Sequence, residues 1–159
     1  MAMRLLVALI LVGALVVPAT AAAAGKNLWA TVNVCDTAAH PNEVGVRASM
    51  PGVPRRTVRR MRIRIQYRAG DRWRYVTGAD SDSGWRKLSR SHGQPVEAGW
   101  SFEFPPPDAG PIAFRGVVRY RWLRGDRVVH HAVEITEAGH RSTTGSDPEG
   151  YSAATCSIG

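Results

Sequence analysis

Residues 114–135 read FRGVVRYRWLRGDRVVHHAVEI, and this stretch decides the fold class. Apolar and polar residues alternate with a period of two on both sides of Gly125-Asp126, a pattern typical of two half-buried strands. Glycine followed by aspartate fits a two-residue type II′ turn, because the first central position of that turn requires a positive φ. The hairpin register that follows pairs Arg124 with Arg127, Trp122 with Val129, Tyr120 with His131 and Val118 with Val133.

The same alternation recurs outward along the chain, and a helical period does not. Further strands are predicted at 28–34, 44–48, 61–67, 73–75, 100–104 and 151–156, with proline- and glycine-rich turns between them. Short strands with this punctuation are typical of a β-sandwich. We therefore expect an all-β sandwich of about seven or eight antiparallel strands.

The tryptophans divide into two groups by their position in this alternation. Trp73, Trp100 and Trp122 fall on apolar faces and are expected in the core. For Trp73 this requires the loop after Ala69 to have an odd length, since an even loop would place its side chain among the arginines of the preceding strand. Trp29 and Trp85 remain as the exposed aromatic side chains.

The N-terminus has the three regions of a secretory signal peptide. Arg4 precedes thirteen apolar or small residues, Leu5 to Val17, and Pro18 and the small residues 19–24 follow. A membrane-spanning helix needs roughly 18 or more apolar residues, so this run is too short to be a good anchor. We predict that residues 1–24 are removed and that residues 25–159 form one secreted, extracellular domain.

Cys35 and Cys156 are the two cysteines of the chain. In an oxidising compartment such an isolated pair forms a disulfide, here tying the first strand to the last. Closing a loop of about 120 residues stabilises the fold by about 4–5 kcal/mol in the chain-entropy account. A metal pair or a reactive thiol is less favoured, because no C-x-x-C spacing or histidine pattern accompanies the cysteines.

Two resemblances accompany this pattern. The strand order resembles an immunoglobulin-like or fibronectin-III-like sandwich, although the cysteines join the chain ends and no tryptophan lies midway along 61–67. The strand VVRYRW at 117–122 and the ending DPEGYSAATC at 147–156 also resemble uncharacterised exported β-domains of actinobacteria. Neither resemblance implies an activity or carries over a functional residue.

Motifs for catalysis or for a metal are weak. The sequence Asp80-Ser81-Asp82-Ser83-Gly84 looks like part of a calcium loop, but glycine stands where a third ligand is needed. His130 and His131 are neighbours on a strand and point to opposite faces. Arg124-Gly125-Asp126 matches an integrin-type tripeptide but is explained by turn chemistry. No nucleophile elbow, H-E-x-x-H or phosphate loop occurs, so we expect no enzyme activity, no cofactor and no metal.

Arginine gives this chain its charge, which is formally +8, with Lys26 and Lys87 as the only lysines. Alternation sends one set of arginines to the outer faces of two strands that are neighbours in an immunoglobulin-like sheet. The predicted anion-binding residues are Arg62, Arg64, Arg68, Arg115, Arg119 and Arg121. The loop before the first of these strands adds Arg55, Arg56, Arg59 and Arg60. This face is either simply solvated or a binding surface for a polyanion.

The sequence therefore leaves three functions open. The first is a secreted, non-enzymatic binding module that engages an anionic cell-envelope polymer, or another extracellular protein, through the arginine face. The second is a carbohydrate-binding module that uses Trp29 and Trp85. The third is a secreted enzyme inhibitor that presents a loop such as 50–60.

Overall fold

The computed structural model describes residues 27–53, 56–88 and 93–159. The predicted signal peptide, residues 1–24, lies outside the described residues. Within them, no helix is both long and apolar enough to cross a membrane.

Nine strands and one short 3-10 helix, Ala79–Ser81, make up the regular structure of the described residues. The strands are β1 (Trp29–Cys35), β2 (Glu43–Met50), β3 (Val58–Ala69), β4 (Arg72–Tyr75), β5 (Arg86–Lys87), β6 (Val96–Glu103), β7 (Ile112–Arg124), β8 (Arg127–Ile135) and β9 (Cys156–Ile158). Each predicted strand except the last overlaps an observed strand over most of its length. The last was expected at 151–156 but runs from Cys156 to Ile158. The two-residue β5 is an addition that period-two reasoning cannot detect.

The strands form two antiparallel sheets. The small sheet has the order β1-β2-β6. The large sheet has the order β4-β3-β7-β8, with β5 also pairing with β3 and β9 also pairing with β7, and it curls like a half-barrel. The prediction of an all-β, antiparallel fold is confirmed.

The core lies between the two sheets and takes its largest side chains from β7. Val118, Tyr120 and Trp122 are buried on the inner face of β7, as alternation predicts. The Tyr120 hydroxyl donates a hydrogen bond to the backbone oxygen of Trp29, 2.8 Å away on the small sheet. Gly116 allows the close approach, because a Cβ there would lie 2.9 Å from a methyl group of Val46 on β2.

The predicted disulfide between Cys35 and Cys156 is confirmed, with their Cα atoms 5.3 Å apart. Cys35 ends β1 in the small sheet, and Cys156 begins β9, which pairs with β7 in the large sheet. The bond therefore joins the two sheets covalently as well as the two ends of the described chain.

The β7–β8 hairpin has the predicted turn but a different register beyond it. Arg124 pairs with Arg127, and Gly125 has a φ of +61°, as a type II′ turn requires. The register then shifts, because Leu123 opposes Val128 and Trp122 opposes His130, which leaves Val129 without a directly opposed residue.

This bulge makes the predicted pairs wrong for Trp122, Tyr120 and Val118, which oppose His130, Ala132 and Glu134. The inner face of β7 carries the large rings of Tyr120 and Trp122. The bulge places residues opposite these rings that can pack beside them. His130 lies against Trp122 with 4.8 Å between ring centres. The small Ala132 lies opposite the buried Tyr120.

Two tryptophans do not lie in the core as expected. The β3–β4 loop is even, Ala69 pairing with Arg72, so Trp73 pairs with Arg68 on the arginine face. Trp100 lies on the edge strand β6, remains 41% exposed, and has the Arg86 guanidinium 4.2 Å from its ring centre. Trp100 is exposed because β6 is an edge strand, which has no neighbouring strand to cover it on one side in the described structure. Trp73 lies on the outer face because the β3–β4 loop has an even number of residues.

Candidate anion-binding face

Strands β3 and β7 are direct neighbours, and their pairing brings the six predicted arginines to the outer face of the large sheet. Arg62 is directly opposite Arg119, and Arg115 is opposite Gln66, between Arg64 and Arg68 along β3. Arg121 is opposite Arg60. Directly opposed residues share a face, so all these side chains project from one side of the sheet.

Arg62 and Arg64 are held by an acid from the connection that follows β4. Arg62 donates to both carboxylate oxygens of Asp82, with its Nε 2.8 Å from Oδ1. The Arg64 Nε lies 3.5 Å from the same carboxylate. The hydrogen bond from Arg62, assisted by the Gly84 amide and opposed by burial, lowers the pKa of Asp82. These two arginines therefore have much of their charge balanced within the fold.

Arg68 and Arg115 both lie near the Trp73 ring on β4, and each donates a hydrogen bond to a neighbouring oxygen. The Arg115 guanidinium is 4.3 Å from the centre of the Trp73 ring, and its Nε donates to Gln66 at 2.8 Å. The Arg68 guanidinium lies 5.7 Å from the same ring centre, and its Nε donates to the Gly70 oxygen at 2.7 Å. The Trp73 ring is thus a shared contact for two arginines of this face.

A second set of basic residues lies in one line across four strands. Lys87 on β5 is opposite Arg60 on β3, Arg60 is opposite Arg121 on β7, and Arg121 is opposite His131 on β8. We call Lys87, Arg60, Arg121 and His131 the basic row. All four are exposed, and three strand spacings give the row a length of about 14 Å.

Within the described part of the chain, no carboxylate pairs with a member of the basic row. The recorded ion pairs of the large sheet's outer face use Asp82 and Asp71, which bind Arg62, Arg64 and Arg68 instead. Arg121 is stacked on an indole, its guanidinium 4.1 Å from the Trp85 ring centre. Stacking leaves the edge of the guanidinium, which carries the N–H donors, available to a ligand.

Arg119 and Arg121 border a shallow depression at the β8 end of the row. Its volume is about 400 Å³, and its side-chain walls come from Trp85, Arg119, Arg121, His131, Val128 and Val133. The lining thus combines cationic, aromatic and aliphatic side chains. Such a depression suits an anionic group that carries an apolar or ring-shaped body.

Two members of the basic row, Lys87 and His131, were not predicted from the sequence, and Arg59 and Arg60 were expected in a loop but lie on β3. Arg60 has the same strand parity as Arg62, a signal that was available, whereas His131 reaches this face only through the bulge and Lys87 through the two-residue β5. Arg59, expected in a basic loop, is only 2% exposed, and its Nη1 donates to the backbone oxygens of Pro51 and Gln94. Arg59 therefore anchors the loop.

The motifs that suggested metal or adhesion have structural partners. In the 80–84 segment, the Asp82 carboxylate binds Arg62 and the Gly84 amide, and Ser83 Oγ accepts from the amide of Ile63. Within the residues that the structure covers, no group of three or more histidine, cysteine or acidic side chains is placed to hold a metal ion. Arg124, Gly125 and Asp126 form the exposed end of the β7–β8 hairpin.

Both tryptophans of the sugar-binding alternative have one ring face covered. Trp29 is stacked on His140, with 4.4 Å between ring centres and 11° between planes, and Trp85 is stacked on Arg121. In the segment of the inhibitor alternative, the described residues Val53 and Thr57 are buried, and β3 already begins at Val58. No specific contact therefore favours either alternative.

Comparisons with protein-family models, with curated protein sequences and with solved structures found no match to this chain.

Proposed function

We propose that this protein is a secreted, non-enzymatic binding module that engages an anionic polymer through the basic row. The observation that carries the proposal is the unbroken line Lys87-Arg60-Arg121-His131, which crosses four strands without an acidic side chain in it. An anionic polymer of the cell envelope fits this geometry better than a small ion, because the row is extended and open. The proposed partner is bound through charge without sequence specificity.

Repulsion within the basic row favours the binding of an anionic ligand. Like charges directly opposite each other on neighbouring strands are unfavourable, and here Arg60 has basic residues opposite it on both sides. A line of phosphates or carboxylates would relieve this repulsion. Arginine forms two parallel hydrogen bonds to either group, which a lysine cannot do. The aromatic contact of Arg121 restricts its side chain before binding and so lowers the entropy that binding costs.

Secretion is part of the proposal and rests on two observations. The sequence begins with the three regions of a signal peptide, and the Cys35–Cys156 disulfide is typical of an oxidising compartment. We also infer that the two sheets form an immunoglobulin-like sandwich of the kind seen in exported actinobacterial β-domains. The β3–β7 adjacency and the shared core support that assignment.

Retention on heparin and on phosphocellulose tests the function. At low salt the protein should be retained on both resins and should elute as the salt concentration rises, because counterions compete for the row. Replacing Arg60 and Arg121 by glutamine should move elution to a much lower salt concentration. The fold should remain intact, since both side chains are exposed.

A matched control distinguishes the effect of losing basic-row residues from the effect of lowering the net charge. The Arg124→Gln/Arg127→Gln variant also loses two exposed arginines, but these flank the hairpin turn and lie outside the row. Its elution should stay close to that of the unchanged protein. Equal effects of the two double variants would show that only total charge matters. A simply solvated face would leave all three proteins without retention, and either result overturns the proposal.

A further inference from the structure

The large sheet ends at β8 with an edge that is open in the described structure. Thr136 N donates to Gly116 O across β7 at 3.0 Å. Because the direction of backbone groups alternates along a strand, His131, Val133 and Ile135 direct their N–H and C=O groups away from β7. Glu137 has the same parity, and its amide donates to Ala30 O at 2.9 Å. Beyond that contact, no backbone hydrogen bond to the edge at 131–135 occurs among the described residues.

Apolar side chains line this open edge. Val133 is 52% exposed and Ile135 is 46% exposed, and Val128 and Val129 are exposed to a similar degree. The bulge places Val133 and Ile135 on the outer face, whereas the simple hairpin register would have directed Val133 to the core. A long edge strand that is also apolar is a site for adding another strand.

We propose that β8 is a dimer interface, in which the β8 strands of two copies pair antiparallel about a two-fold axis and join the two large sheets into one. This inference concerns the outer edge of the large sheet, which the basic row reaches at His131, and it does not depend on anion binding.

Charge complementarity selects a second copy as the occupant and also selects the register. With Ala132 on the two-fold axis, His131 of one copy pairs with Val133 of the other, and Val129 pairs with Ile135. His130 then faces Glu134 across the interface twice, once on each side of the axis. Shifting the centre to His131 would oppose two histidines, and shifting it to Val133 would set Glu134 opposite Ala132 and remove the contact with His130.

The proposed register also places the backbone groups correctly. The odd-numbered residues from 131 to 135 direct their hydrogen-bonding groups to the edge, so the two His131–Val133 pairs become hydrogen-bonded pairs. His130–Glu134 becomes a pair without backbone hydrogen bonds, in which opposed side chains approach most closely. An imidazole and a carboxylate therefore meet where side-chain contact is strongest.

The single copy leaves Glu134 in an unfavourable environment that pairing would relieve. Glu134 is half-buried opposite Val118, and the described structure records no ion pair or hydrogen bond for its carboxylate. Burial raises the pKa of Glu134, and the nearby charge of Glu137 raises it further. His130 of the same strand is four residues away, about 13 Å in an extended chain, and does not reach it.

Sedimentation analysis of protein recovered from the medium of an exporting host, over a wide concentration range, tests the inference. We expect a reversible monomer–dimer equilibrium. The single variant His130→Glu should weaken dimerisation by about tenfold or more, because it creates two Glu–Glu pairs across the interface. Glu134→Lys should also weaken it, because it removes both carboxylates that the His130 side chains face. The double variant His130→Glu/Glu134→Lys should restore it, since the two charges are exchanged across the interface.

A second pair of variants tests the edge itself. Val133→Pro removes an N–H that points away from β7, and it should abolish the dimer, whereas Val133→Thr should retain it. Circular dichroism of the Val133→Pro monomer should match that of the unchanged protein. A chain that stays monomeric at all concentrations overturns the inference, whether the edge is empty or taken by another segment. A dimer that is unaffected by the charge exchange overturns it too, because it uses another surface or register.

Discussion

Arg121 and Trp85 are stacked, with the guanidinium carbon 4.1 Å from the centre of the indole ring. The two residues come from different parts of the chain, and the contact brings the segment before β5 onto the outer face of β7. A cation over an indole ring contributes about 0.5–1 kcal/mol at an exposed site. The contact therefore fixes the direction of a charge that lies in the middle of the basic row.

Trp85→Ala should weaken polyanion binding although it changes no charge. The released Arg121 side chain would regain rotamers that binding must restrict again, so we expect affinity for heparin to fall about threefold to tenfold. Titration of the protein with heparin oligosaccharides measures the change. Trp100→Ala is the control, because Trp100 is stacked on Arg86 and lies outside the basic row. An equal loss in both variants would contradict the positioning role of Trp85.

Acid should destabilise the protein partly through Asp82. Its folded-state pKa is lowered, chiefly by the hydrogen bond from Arg62. The stabilisation is therefore complete above the unfolded-state pKa of about 3.9 and is lost as pH falls through the lower folded-state pKa. Urea unfolding between pH 7 and about pH 2 should show a shallower pH dependence for Asp82→Asn than for the unchanged protein. Asp126→Asn, in the exposed hairpin turn, should leave the dependence unaltered.

Trp122 and Trp100 should differ sharply in their contribution to stability. Trp122 is 6% exposed in the core, so Trp122→Ala should lower the free energy of unfolding by about 3–5 kcal/mol. Trp100→Ala, at the edge of the small sheet, should cost about 1 kcal/mol. Chemical denaturation of both variants measures the difference. Similar losses would mean that the strand register of β7 is wrong.

Removing the disulfide should reveal how much the fold depends on it. Cys156→Ser should lower the free energy of unfolding by about 4–5 kcal/mol in the chain-entropy account. The double variant Cys35→Ser/Cys156→Ser should behave the same, since it removes the bond without leaving a lone thiol. Denaturation of both variants measures the loss, and thiol labelling of the unchanged protein under non-reducing conditions should detect no free cysteine.

Period-two alternation was sufficient to predict the fold class and the inner face of β7. It could not predict the register of β8, because a bulge changes the parity of every later residue and neither Val128 nor Val129 marks it in the sequence. The same reasoning failed for Trp73, whose face depends on whether the preceding loop is odd or even. Errors of one residue in a turn or bulge thus reverse whole faces while leaving the strands in place.

For the candidate site, the sequence predicted which strands carry the arginines but not which arginines have partners. Asp82 comes from a connection whose path no strand pattern specifies, and it binds Arg62 and Arg64. Lys87 belongs to a strand of two residues, which is shorter than any detectable period. Because Asp82 pairs with Arg62 and Arg64, the proposed site is centred on Arg60 and Arg121, which have no such acidic partner in the described structure.

The position of the disulfide has a mechanical consequence. A stretching force applied at Asn27 and Gly159 would enter the molecule close to Cys35 on one side and Cys156 on the other. The bond would carry that force and shield the chain between the cysteines, which are 121 positions apart in the sequence, from extension. Fully extended, that stretch would measure about 400 Å. Reduction would therefore convert a nearly inextensible link into one that lengthens as its strands separate.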